Sequence, residues 1–186
     1  MGDAQLAGIH YLEKEIKAVK IVIAGRSLGG AAVGQAILRY PFDVKNSGKY
    51  VVIRQMSFSR TSDVCAEIAG MDPLTKKIIS FMIWWTGLEM DSVAASKRLE
   101  ELGIQEVIVQ GGNQSDKILQ DSHFGDDHVI PKQASLGYHV FLREMKHKTY
   151  MFQREMLMER ELYDHMHESS ISLPGILKLI NQFGVS

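Results

Sequence analysis

The sequence predicts an α/β fold, a mostly parallel sheet with helices on both faces. Two observations predict it. Runs rich in β-branched and aliphatic residues open at residues 19–24, 50–59 and 105–112, and residues at helical spacing lie between them. Strand, helix, strand, helix, strand is also the order of a parallel sheet with crossover connections. Ligands of such sheets bind beyond the carboxyl ends of the strands. The 186 residues fit a single domain, 1–186, with a sizeable core.

Residues 3–18 read as a helix, because Leu6, Ile9, Leu12 and Ile16 recur every three or four positions and Glu13 pairs with Lys17 at i,i+4. A buried strand follows at 19–24, then a helix of small and aliphatic residues that ends at Tyr40-Pro41. Residues 46–49 make a turn into the second strand, 50–59, and Arg60-Thr61-Ser62-Asp63 reads as a polar break. An apolar helix over 73–86 starts on Pro73, tolerated in a first turn, and stops at Gly87. Asp91 caps a further helix, 91–102, which Gly103 closes before the third strand. Residues 139–145 can form a fourth strand or continue a helix begun at Lys132. Residues 148–167 read as a long, charged, methionine-bearing helix.

Between the first strand and its helix lies Gly25-Arg26-Ser27-Leu28-Gly29, a nucleophile-elbow pattern. A strand turning straight into a helix strains its apex residue and leaves no room for side chains two positions either side. The apex hydroxyl then stands at a helix N-terminus, where open N–H groups favour an oxyanion. The competing reading is a tight turn whose serine merely caps the helix.

Gly25-Arg26-Ser27-Leu28-Gly29-Gly30 resembles the elbow of the lipase, esterase and acyl-thioesterase branches of the α/β-hydrolase superfamily. The resemblance implies that Ser27 is the nucleophile, that the Leu28 N–H is an oxyanion-hole donor, and that an acid and a histidine follow in that order. Asp116 fits the acid by position, a few residues past the third strand. Asp127 fits by motif, since Asp127-His128-Val129-Ile130-Pro131 looks like the pattern around that acid, although it lies further from the strand. Asp121 and Asp126 are weaker. His147 fits the histidine, following the fourth strand about thirty residues after Asp116. His139 falls within an apolar run, His123 and His128 precede that strand, and His165 and His167 sit on the terminal helix. Residues 60–102 occupy the slot of a lid, and Trp84-Trp85 could line an acyl pocket or pack in the core. The superfamily carries several strands ahead of its elbow; this sequence begins one helix before it, so the expectation is an N-terminally truncated version of the fold.

Composition narrows the function. A net charge of −1 predicts no general affinity for nucleic acid or acidic membranes. One cysteine, Cys65, rules out an internal disulfide framework. Residues 1–18 lack the features of a signal peptide, and no run approaches the roughly 20 apolar residues that span a bilayer, so a soluble, cytoplasmic protein is expected. Asp121, His123, Asp126, Asp127 and His128 crowd one loop, but no metal-site spacing accompanies them and no metal or cofactor is expected. A nucleotide-binding module is disfavoured because residues 25–30 lack the phosphate-loop lysine. The expected function is hydrolysis of a carboxylic ester or thioester, on a small-molecule or lipid-like substrate, through an acyl-enzyme; the apolar run at residues 78–85 hints at a lipid-like acyl chain. The alternative is an incompetent hydrolase-like fragment or paralogue that binds a partner, or its own copy, through an unpaired sheet edge.

Overall fold

The computed structural model describes residues 2–110, 129–141 and 148–152. Strands β1 (Ile21–Arg26), β2 (Tyr50–Gln55), β3 (Gln105–Gln110) and β4 (Lys148–Phe152) form a parallel sheet in chain order. Parallel neighbours need crossovers. Helix α2 (Leu28–Arg39) supplies the first. Helices α3 (Thr61–Ile68), α4 (Pro73–Trp85) and α5 (Ser92–Glu101) lie between β2 and β3, and α6 (Leu136–Phe141) between β3 and β4. Among the described strands β1 pairs with β2 alone.

Alternation along the strands sorts the core. Ile21, Ile23, Tyr50 and Val52 pack with Val33, Ala36 and Ile37 of α2 and with Ala95 and Leu99 of α5. Val51, Ile53, Val107 and Val109, at the alternate positions, are buried too, as a parallel sheet covered on both faces requires. Arg54 and Glu106 lie on the α2–α5 side and are fully buried. Arg54 Nε donates to Glu106 Oε1 at 2.6 Å, Nη1 to the Ser92 carbonyl at 3.0 Å, and Nη2 to Glu106 and the Ser96 hydroxyl. Gly34 leaves space for the guanidinium: a Cβ there would meet Arg54 Nη1 at 3.4 Å.

The N-terminal helix is α1 (Asp3–His10), continued by a π-helical turn, Tyr11–Glu15. Glu13 there accepts hydrogen bonds from the hydroxyls of Tyr40, at the end of α2, and Tyr50, at the start of β2. The Tyr40 bond is the chief cause holding the Glu13 carboxyl below its ordinary value; burial works against it. Burial first, and Glu13 second, push both tyrosines above theirs.

Several elements differ from expectation. The second strand ends at Gln55, because Met56 takes a left-handed backbone (φ 45°) and its N–H turns to the Val109 carbonyl at 2.8 Å. The polar break at 60–63 instead starts α3, with Ser59 Oγ donating to Asp63 at 2.9 Å. Residues 136–141 are helical rather than extended, so the helical reading of that run is the one that stands. The fourth strand lies in the segment read as the start of a long helix. Thr149, Tyr150 and Phe152 are good strand formers, and pairing with β3 outweighs the helical period of the residues that follow them in sequence. Asp91 caps α5 through Ala94 and Gly103 (φ 65°) ends α5, both as expected, and Asp72, which the sequence reading did not single out, caps α4 through Leu74 and Thr75 N–H groups. Among the described residues no helix is long and apolar enough to cross a membrane.

Candidate active site at the strand–helix elbow

The chain passes from β1 into α2 at a single residue, Ser27, with φ 51° and ψ −122°. Side chains other than glycine rarely adopt that region, and it costs about 1–3 kcal/mol. Two features hold it. The Ser27 N–H donates to the Gln55 carbonyl at 2.9 Å, and the Ser27 carbonyl accepts from Gly30 and Ala31 N–H groups at 3.0 and 3.3 Å. Gly25 lets strand and helix touch: a Cβ there would lie 2.5 Å from Gly29 O and 2.8 Å from Gly30 Cα. The expected crowding on the other side falls at Gly30 instead of Gly29. A Cβ at Gly29 meets nothing within 4 Å, whereas one at Gly30 would meet Ser57 Oγ at 2.8 Å.

The serine is no ordinary cap, because its side chain makes no hydrogen bond to the helix N-terminus. Leu28 is the first residue of α2, and the opening N–H groups of a helix have no intrahelical acceptor. Arg26 adds positive charge next to the serine, and its Nε is buried without a hydrogen-bond partner among the described residues. The loop after β2 closes the site from the side, with Ser57 and Phe58 both buried.

Residues 129–135 return to this same end of the sheet. Ser135 bridges Phe58 antiparallel, the Ser59 N–H donates to the Ala134 carbonyl at 2.8 Å and the Leu136 N–H to the Ser57 carbonyl at 2.8 Å. Ile130 packs in one cluster with Phe58, Met90 and Ala31, which is four residues into the chain from Ser27. Asp116 and Asp127 themselves lie outside the described residues, as do Asp121, Asp126, His123, His128, His165 and His167.

His147 lies outside them too, but its chain neighbour is placed. Lys148 opens β4 opposite Glu106, whereas Phe152 is level with Gln110 at the carboxyl end. Four residues at about 3.3 Å and three strand spacings of about 4.8 Å put Lys148 roughly 20 Å from the elbow. The topology corrects the expectation that a strand precedes His147: the strand follows it. His139 is half-buried on α6, with Nε2 2.7 Å from the Gln133 carbonyl.

Helix α4 was expected either as core or as pocket lining. None of its residues is buried, and Trp84 and Trp85 are 65% and 76% exposed, so core packing of the pair is excluded. A cavity of about 440 Å³ lies between α3, α4 and the start of α5, lined among others by Arg60, Asp63, Phe81, Trp84 and Asp91; Ser27 does not line it. Sequence reasoning missed the buried Arg54–Glu106 pair, although two opposite charges inside apolar strand runs are a visible signal for one.

A family model described as Chlamydia CHLPS protein (DUF818) matches residues 1–176. No curated protein matches the chain. The match spans nearly the whole sequence, elbow included, and the chain belongs to the Chlamydia CHLPS protein (DUF818) family.

Proposed function

We propose that this protein is a serine hydrolase of α/β-hydrolase type that cleaves a carboxylic ester or thioester. The observation that carries the reading is the Ser27 backbone, strained at the apex of a strand–helix turn and packed over Gly25, with no capping bond. A serine that only ended a helix would need none of that strain. In the reaction Ser27 Oγ attacks the carbonyl carbon and passes its proton to a histidine. The Leu28 N–H stabilises the oxyanion, and the leaving alcohol or thiol departs with that proton. Water then adds to the acyl-enzyme and releases the acid.

Asp127 is the better acid. Three residues reach about 10 Å, and Ile130 packs with Ala31 of the elbow helix. The return of residues 129–135 to the elbow end of the sheet supports Asp127 over Asp116. By chain order the histidine comes after β4, from His165 or His167. The exposed apolar residues of helix α4 favour a lipid-like acyl group.

Labelling with a fluorophosphonate probe tests the reading, with intact mass to count adducts. Stoichiometric labelling of the wild type, lost in Ser27→Ala, is expected; a folded wild type that takes no label overturns it. Asp127→Asn is expected to slow labelling on the order of 10³–10⁴-fold, from the loss of histidine orientation, while Asp116→Asn leaves the rate near wild type.

One observation favours the second reading, a binding module. Strand β1, which carries the elbow, has a partner on one side only among the described strands. A mass that rises with concentration, together with no labelling, would select it.

A further inference from the structure

Helix α4 leaves a wide apolar stripe in solvent. Leu74, Ile78, Phe81, Met82, Trp85 and, just beyond its end, Leu88 recur at three- and four-residue steps and are all exposed. The half-buried face carries Thr75, Lys76, Ile79, Ser80 and Ile83, and Lys76 Nζ is bound to Glu67 of α3 at 3.0 Å. Helix α3 is the element α4 packs on most closely. A surface helix of a globular protein turns its apolar stripe inward and its polar residues outward; this one turns Ile79 and Ile83 inward and keeps a second, larger apolar stripe in solvent.

We infer that the α4 stripe docks on a phospholipid surface, with the helix lying in the plane of the headgroups. Residue chemistry fits that occupant: tryptophan and phenylalanine beside a lysine are the set that settles at a membrane–water interface. Charge decides between a lipid surface and a second copy of this chain. Lys77 is exposed within the stripe, and no carboxylate occurs from Pro73 to Leu88. Two stripes packed on each other would give Lys77 only apolar side chains and another lysine. Lipid phosphates give it a counter-charge. The net charge of −1 belongs to the whole molecule and does not describe this face. Docking there stands independently of any chemistry at Ser27.

The two tryptophans of the chain, Trp84 and Trp85, are both on α4 and report directly. The experiment uses the whole 186-residue chain carrying Ser27→Ala, so that turnover cannot alter the lipid. Phosphatidylcholine vesicles, with and without phosphatidylglycerol, are added while emission and flotation are followed. A blue shift and co-flotation are expected, reduced at least about tenfold by Phe81→Ser with Trp85→Ser, whose side chains support no core. Lys77→Gln is expected to weaken binding to the anionic vesicles about fivefold. Emission unchanged by either vesicle overturns the inference. A blue shift without lipid that tracks a doubling of mass overturns it in favour of a second copy. Flotation insensitive to the double serine variant also overturns it. Because Ser27 is absent throughout, none of these outcomes bears on the hydrolase reading.

Discussion

Ser27 carries strain that the fold retains at the point where a hydroxyl meets a helix N-terminus. Glycine accepts φ 51° without that strain, so Ser27→Gly is expected to raise stability by about 1 kcal/mol while abolishing fluorophosphonate labelling. Urea titration of both proteins checks the first part. Gly25 and Gly29 look equivalent in the motif and differ in space. Gly25→Ala drives a methyl into the Gly29 carbonyl and is expected to cost about 1–3 kcal/mol. Gly29→Ala enters open space in the first turn of α2 and is expected to be neutral or to stabilise by up to about 1 kcal/mol. Midpoints of denaturation measured side by side separate the two.

At the scale of elements, β2, β3 and α5 are joined by the Arg54–Glu106 pair and its bonds to Ser92 and Ser96. Burying two charges is expensive, and removing one partner leaves the other uncompensated. Arg54→Met is therefore expected to lose about 3–5 kcal/mol, and Arg54→Met with Glu106→Leu to recover most of it. Chemical denaturation of the four members of that cycle gives the coupling directly. The pair sits under α2, the helix the elbow feeds, so a displaced Arg54 is also expected to slow labelling of Ser27.

Across the whole molecule, Glu13 ties the N-terminal segment to the end of α2 and the start of β2. Folded Glu13 binds its proton more weakly than an ordinary carboxyl of pKa 4.5. Its contribution is thus complete above that value and is lost as pH falls through the lowered one. Tyr40 and Tyr50 bind their protons more tightly than an ordinary phenol, so their contribution is whole below pH 10.0 and declines as pH rises beyond it. Glu13→Gln is expected to flatten the acid limb of stability against pH below about 4.5. Urea midpoints at pH 7 and in that acid range, compared between variant and wild type, check the sign.

Sequence alone determined what is written in short, contiguous signals. Three strands, the elbow turn, the start of α4 at Pro73 and the helix signals at Asp91 and Gly103 follow from β-branching, glycine, proline and capping chemistry, which act over a few residues. Tertiary structure decided whatever depends on partners distant in the chain. Thr149 to Phe152 become a strand because β3 offers an edge, and Phe58 holds Ser135 so that residues 129–135 return to the elbow. The apolar period of α4 was plain, but its outward direction was not. A period of 3.6 residues says that a helix has an apolar face; only the neighbours that pack on the helix, or fail to, say which way it looks.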